Sequence, residues 1–489
     1  MQLTARKVLL KAAFCLALVF SFSLASFLPS STFAQVQPDV LGTATGSLTD
    51  TQKMLLLVKP AVVQVTNLVS GEAILQATVA QELGAPALSG RSYDFTIGAT
   101  GSGFFVTPDG YLITNGHVAQ PKEELVAYFA LDQLAKTIYK DAVSILAQGY
   151  YGYTPTEQEI ETAYQTQLQQ QFGGSYENLV NEFFKGYRAG ELKITNLKYS
   201  NYVQTGIAQG SEKSVKQLGK PVRLVDTSYV GDFDSRDLAL LKVEGSNFPT
   251  VGLWSSESIN IGTEVYAIGY PGIVEKMMGV LTDEESELEP SITKGIVSAK
   301  KKLMDGTEAY QTDAAITHGN SGGPAIGSDG KVIGVGTWSF GDLAGGESFN
   351  FLISVERVKE LLSKNNVTPS ESLTNAAWAE GLSLFSEKHY SAAIKEFEKV
   401  KRLYPDNVDV ESYISQAETA IAQGEDIPVG LSTITVLIIA GAGVLVCALV
   451  AAVILIILKR RQKKVVAGLP QNVKSELPEE KTPAEKPAQ

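Results

Sequence analysis

Two apolar runs frame the chain, and between them the hydrophobic period changes twice. The first run, residues 12–28, follows Arg6, Lys7 and Lys11 and ends ahead of Thr32-Phe33-Ala34. A basic start, an apolar stretch and a small-x-small site predict an export signal over 1–34. An uncleaved N-terminal anchor is the other reading, and both place the residues that follow outside the cytoplasm, since basic flanks stay inside. The second run, 429–458, contains no charged residue and is followed at once by Lys459-Arg460-Arg461 and Lys463-Lys464. About 20 apolar residues cross the hydrocarbon core. The run therefore predicts a single transmembrane helix in the plasma membrane, with a cytoplasmic tail over 459–489. Within it Gly443, Cys447 and Ala451 recur at every fourth position, a spacing that lets helices approach closely and allows a homo-oligomer.

After a polar linker over 35–54, the run Val62-Val63-Gln64-Val65, led by Lys59-Pro60-Ala61, predicts a first strand. Phe104-Phe105-Val106, Pro108-Asp109-Gly110 and Tyr111-Leu112-Ile113 read as a hairpin. Short β-like runs return over 222–225, 238–243, 265–268, 296–298 and 332–335. Strands of this length separated by turns predict a mostly β barrel or sandwich. A helical period intervenes. Leu125, Tyr128, Leu131, Leu134, Ile138, Ala142 and Ile145 repeat at three and four. Thr154-Pro155-Thr156-Glu157 reads as a capping box with proline at the first helical position. Ile160, Tyr164, Leu168 and Phe172 continue one face, and a third helix is expected over 177–187. We read 121–187 as a helical insertion within one β domain over 55–362; an independent helical domain is the alternative.

The region 374–424 forms a separate small α-helical unit. Gly381, Ala393, Phe397 and Pro405 fall at the offsets of a helix–turn–helix repeat of about 34 residues, with Tyr390 in the turn. This resembles one tetratricopeptide repeat over 374–407, with a capping helix over 408–422. Ala377 holds the position where that family has tryptophan, and Trp378 follows it. A lone repeat leaves an apolar face that needs a neighbour, so the unit is expected to pack on the β domain, pair with a second chain or recruit a protein partner.

Charge narrows the partners. With +3 on 1–34 and +4 on 459–489 out of a formal −12, the rest of the chain carries −19. That balance argues against nucleic acid. Cys15 and Cys447, the only cysteines, both lie in the apolar runs. The exported part thus has no disulfide, thiol catalyst or cysteine-based metal site, and no cofactor or metal is expected.

The chemistry concentrates in three segments. Gly319-Asn320-Ser321-Gly322-Gly323-Pro324 sets a serine on a glycine-framed loop, where its hydroxyl is exposed and neighbouring N–H groups converge. The chain has three histidines, which limits the candidates for a base near neutral pH. His117, in Thr114-Asn115-Gly116-His117-Val118, sits at a predicted strand end after the Gly101-Ser102-Gly103 turn. His389 reads as a solvated residue of the helical unit, and His318 is too near Ser321 in sequence to be its base. Asp237 opens the apolar strand Leu238-Ala239-Leu240-Leu241-Lys242-Val243 and suits a half-buried orienting carboxylate. Asp232 and Asp234 compete for that role.

His117, Asp237 and Ser321 occur in the chymotrypsin order. The segments 101–105, 109–111, 114–118, 237–243, 269–271, 295–299 and 312–324 resemble the HtrA/Deg branch of trypsin-like serine proteases. The resemblance implies a double six-stranded β-barrel of chymotrypsin type with the site between barrels. It implies Ser321 as nucleophile, His117 as base then acid, and Asp237 as orienting carboxylate. It implies an oxyanion hole at Gly319, Asn320 and Ser321. Thr337, Trp338 and Ser339 would pair with substrate backbone, and Ala315 and Ile316 would line the primary specificity pocket, favouring small or medium apolar residues. Three departures stand out. His117 and Asp237 lie 120 positions apart, with the insertion between them. His318 precedes the nucleophile loop, where it either tunes substrate access or caps the loop. No PDZ-like segment follows residue 362. The expected function is an extracytoplasmic, membrane-anchored serine endopeptidase acting on exported or misfolded proteins. A latent or inactive protease-fold scaffold is the rival, with the insertion or the acidic segment 283–289 gating access in the latent case.

Overall fold

The computed structural model describes residues 48–204, 219–226, 237–254, 259–270, 290–303, 306, 308–316, 319–340, 349–429, 454 and 456. The expected export signal, His318, Asp232, Asp234, the acidic segment 283–289 and the tail lie outside them. So does nearly all of the apolar run 429–458. Among the described residues no helix is long and apolar enough to cross a membrane. The chain divides into two compact units, Met1–Ile427 and Pro428–Gln489.

Twelve strands close into two six-stranded barrels. The first contains β1 (Val62–Leu75), β2 (Ser92–Phe105), β3 (Tyr111–Thr114), β4 (Leu192–Gln204), β5 (Lys220–Asp226) and β6 (Ala239–Val243). The second contains β7 (Glu264–Gly269), β8 (Ser291–Lys302), β9 (Glu308–Thr312), β10 (Pro324–Ile326), β11 (Val332–Phe340) and β12 (Phe349–Ser354). The period of two explains why several strands are apolar on both faces. In β6, Ala239, Leu241 and Val243 fill the first barrel. Leu240, with Leu238 just before the strand, instead joins Phe104, Ile113, Ile268, Ile326 and Ile353 in a core shared by both barrels. The second barrel is filled by Val265, Ala267, Val297, Tyr310, Ala325, Ile333 and Leu352. A run such as Leu238 to Val243 is thus apolar because one face packs the barrel and the other packs the seam.

The insertion is more than a helical ornament. Strands β1 and β2 are 14 residues each, about 45 Å long at strand rise. They stay in register from Val62↔Phe104 to Ile74↔Ser92, and β4 pairs along β1 as far as Leu75↔Leu192. This ribbon carries α4 (Glu123–Tyr151), α5 (Glu157–Phe172) and α6 (Tyr176–Arg188), and with them forms a separate core. Tyr93, Phe95 and Ile194 come from the strands, and Leu131, Ile138, Tyr164 and Phe183 from the helices. The short helix α2 (Ala77–Glu82) contributes Val79 and Ala80 to that core, and α3 (Gly116–Ala119) follows β3. The capping box sits two residues later than the sequence reading placed it. Thr156 Oγ1 accepts from the Glu159 N–H, while Glu159 accepts from the Thr156 N–H at 2.8 Å. Two Ser/Thr-x-x-Glu patterns overlap here, and the later one puts Glu157 and Glu159 in the first turn, where they complement the helix dipole.

Helix α1 (Asp50–Val58) begins inside the span read as a linker, capped by a reciprocal Thr49–Gln52 pair. Lys59–Ala61, expected to extend a strand, is a tight helical turn set by Pro60. The helical unit consists of α8 (Leu373–Ser386), α9 (Tyr390–Leu403) and α10 (Val410–Ala422), after α7 (Val355–Lys364) closes the barrel region. It packs on the β domain through α1. Met54 and Leu55 face the seam core, while Leu56 and Leu57 face the helical unit. Trp378 Nε1 donates to Leu56 O at 2.8 Å, and its ring touches Phe397 and Tyr413. Polar ties reinforce the seat: Asn375 Nδ2 donates to Thr250 O at 2.7 Å, and Lys59 pairs with Asp409 at 3.0 Å. His389 is not a freely solvated residue; its Nδ1 lies 2.6 Å from Ile427 O. Because Trp378 is 1% exposed, Trp378→Ala is expected to destabilise the helical unit by about 3–5 kcal/mol, read as an early transition in denaturant. A single transition at the wild-type midpoint would show that the tryptophan does not hold the unit.

Candidate active site

The histidine is placed by one helical turn. Strand β3 ends at Thr114, Asn115 follows, and α3 carries His117. Both ends of the turn are tied down. Asn115 Nδ2 donates to Asp237 O at 2.7 Å, and Asn67 Nδ2, from β1, donates to Ala119 O at 2.9 Å. Asp237, two residues before β6, is completely buried. Its Oδ2 lies 2.7 Å from His117 Nδ1, and its Oδ1 accepts the His117 backbone N–H at 2.9 Å. Thr337 Oγ1 donates to the same Oδ2 at 2.7 Å. Burial alone would push the Asp237 carboxyl up. The His117 charge and ring N–H, the Thr337 hydroxyl and the His117 backbone N–H together outweigh that and hold it below the usual carboxylate range. An ionised Asp237 only accepts, so Nδ1 carries a proton towards it.

The serine loop lies between β9 and β10. Gly319 and Gly322 take φ of +98° and +87°, which side-chain-bearing residues avoid. At Gly322 space also forbids a side chain, since a Cβ would stand 2.2 Å from Ser102 O and 2.3 Å from Thr114 Oγ1. Ser102 joins the loop to the first barrel. Its Oγ donates to Gly319 O at 2.6 Å and accepts the Tyr270 N–H at 2.9 Å, while its own N–H donates to Ser321 O at 2.8 Å. Residues 101–103, expected to turn, are instead part of β2, and their glycines permit this close approach.

Thr337 is where the pieces meet. The β11–β12 register shifts between Gly336 and Trp338, and such a bulge re-aims the residue it contains. The Thr337 side chain holds Asp237, and its carbonyl accepts the Ser321 hydroxyl at 3.0 Å. The structure thus brings His117, Asp237 and Ser321 to one place, with Gly319 and Asn320 in the same turn as Ser321. Of the expected pocket residues, Ile316 is buried and Ala315 is exposed, its carbonyl accepting from Thr293 Oγ1 at 2.7 Å. Trp338 and Ser339 lie on β11, opposite Phe351 and Asn350. Ser102 and the second role of Thr337 were not read from the sequence. A serine between two glycines is a signal for Ser102; nothing local marks Thr337, whose partner is 100 positions away. Among the described residues no group of three or more His, Cys, Asp or Glu side chains is placed to hold a metal.

The two closed six-stranded barrels are of the chymotrypsin-like kind, and residues 194–335 match the model of the trypsin-like peptidase domain. A probable periplasmic serine endoprotease DegP-like from Pseudomonas putida (strain W619) is 38% identical over 144 residues, 28% of this chain and 27% of that protein. Serine endoprotease DegS from Haemophilus influenzae is 33% identical over 189 residues, 36% of this chain and 51% of that protein. The chain therefore spans about a quarter to a half of the length of these relatives. A solved structure, HtrA-type protease AlgW with decapeptide, is 19% identical with a TM-score of 0.34, covering 65% of this chain and 68% of that one. The sequence similarities are thus to serine endoproteases of the DegP and DegS kind.

Proposed function

We propose that this chain is a membrane-anchored serine endopeptidase facing the extracytoplasmic side, hydrolysing peptide bonds of exported or misfolded proteins through an acyl-enzyme. The observation that carries this reading is the buried Asp237 carboxylate 2.7 Å from the half-buried His117, converging with Ser321 on Thr337. In the proposed reaction Ser321 Oγ leaves the Thr337 carbonyl, passes its proton to His117 Nε2 and attacks the substrate carbonyl. Asp237 stabilises the imidazolium that results. The N–H groups of Gly319 and Ser321 receive the oxyanion, with Asn320 shaping the turn, and His117 returns the proton to the leaving amine. Backbone of β11 at Thr337–Ser339 pairs with the substrate, while Ala315 and Ile316 flank its P1 side chain. The anchor and the side of the membrane rest on the apolar run 429–458 and its basic flank, and the relatives' periplasmic names agree with that side. The helical unit 374–424 is a candidate for recruiting a protein partner.

The full chain, purified in detergent, is expected to hydrolyse casein and to be labelled covalently by a fluorophosphonate probe, with the label on the peptide containing Ser321. A chain that is never labelled, at any pH or temperature where it stays folded, would instead be the inactive scaffold.

A further inference from the structure

Asn350 sits where the two walls of the proposed P1 pocket meet. Strand pairing sets it opposite Ser339 of β11 and opposite Thr312 of β9. Residues two apart on a strand share a face, and Leu352 packs inside the second barrel. Asn350 therefore points into the end of that barrel, beside the loop that leads to the nucleophile. Its Nδ2 donates to Ala314 O at 2.8 Å. The amide thus reaches across from the strand beside Ser339 to the residue preceding Ala315 and Ile316. Ala314 and Ile316 belong to the same buried core. The asparagine is 3% exposed, and its Oδ1 has no hydrogen-bond partner among the described residues. Buried polar atoms are almost always satisfied, so a bare acceptor at this place points to a ligand group that completes it.

We propose that Asn350 forms the floor of the P1 pocket and that its Oδ1 selects short side chains bearing a hydroxyl, serine and threonine. The inference rests on the endopeptidase reading above and makes its substrate class narrower than small or medium apolar residues. Two physical effects combine. The amide occupies the depth that an aromatic, leucine, lysine or arginine side chain needs. The bare oxygen then separates side chains of equal size: a threonine hydroxyl donates to it, whereas valine leaves it unmet, and an ionised carboxylate only repels it.

The test uses the full chain and internally quenched peptides that differ only at P1. Wild type is expected to cleave after threonine about tenfold faster in kcat/KM than after valine, the rate equivalent of one hydrogen bond. Serine should exceed alanine likewise, with phenylalanine and leucine slower than all four. In Asn350→Gly the threonine-to-valine ratio should fall towards one, and cleavage after leucine and phenylalanine should rise. Wild type that cleaves best after leucine or phenylalanine, or equally after threonine and valine, overturns the proposal even if Asn350→Gly does not fold. So does a labelled Asn350→Gly with the wild-type P1 profile. Fluorophosphonate labelling needs no P1 side chain, which keeps the two failures apart. A labelled chain with the wrong profile refutes the role of Asn350 alone, whereas a chain neither labelled nor hydrolytic refutes the endopeptidase reading.

Discussion

Ser321→Ala is expected to lower casein and peptide hydrolysis by about 10⁵–10⁶-fold and to abolish fluorophosphonate labelling. The proposed reaction begins with a bond from Ser321 Oγ to the substrate carbonyl carbon, and alanine offers no atom for it. The residual rate would come from the oxyanion donors and from binding, which retain about 10³-fold over water when a nucleophile is removed. Little else should change. Among the described residues the hydroxyl donates to Thr337 O, and such a bond contributes about 1 kcal/mol. The loop itself is held by backbone: the Gly322 N–H donates to Gly336 O at 2.8 Å and the Gly323 N–H to Asn320 O at 3.0 Å. Circular dichroism and the unfolding midpoint should therefore stay close to wild type while turnover disappears. Activity within tenfold of wild type in the purified variant would remove Ser321 from the reaction and leave the glycine loop as a structural turn.

The legible and the illegible parts of this chain divide by the range of the interaction. Local chemistry read well. Gly319 and Gly322 announced backbone that only glycine adopts easily, and both have positive φ. The three- and four-residue spacing from Leu125 to Ile145 falls within a single helix, Glu123–Tyr151. The apolar run at 238–243 forms a strand because its two faces serve two cores. What failed depends on partners far away in sequence. The strand Leu192–Gln204 was not expected, because its alternation breaks at Asn196, which takes φ of 56° where the register with β1 shifts. Gly101-Ser102-Gly103 has turn chemistry, yet β1 on one side and the serine loop on the other hold it extended. The insertion was visible as helices, but not as helices on a ribbon, because the ribbon residues Tyr93, Phe95 and Ile194 lie on both sides of it in sequence. At the site, residue types named His117, Asp237 and Ser321, while the side chains that fix their geometry, Ser102 and Thr337, are ordinary hydroxyls whose roles exist only in the fold.

Asp237→Asn carries the second large effect, a fall in kcat/KM of about 10⁴-fold with the architecture preserved. The amide is nearly isosteric, but its one oxygen can accept from only one of the two His117 N–H groups that Asp237 Oδ1 and Oδ2 meet, and its NH₂ faces the other. An oxygen facing His117 Nδ1 holds the productive tautomer but brings no charge to stabilise the imidazolium. An NH₂ facing Nδ1 drives the ring proton to Nε2, where it blocks proton transfer from Ser321. The pH dependence of stability supplies a readout independent of turnover. The folded pKa of Asp237 is lowered, so its stabilising contribution is fully present above the unfolded value of about 3.9. It is lost as pH falls through the folded value. The variant has no such group to titrate, so the gap between the two unfolding midpoints should narrow as the pH falls below about 4. A gap that stays unchanged on acidification, or activity within tenfold of wild type, would mean that Asp237 is not the carboxylate that charges and orients His117. The burial that makes Asp237 costly to ionise is also what makes its charge effective on the ring beside it, since no water lies between to screen the pair.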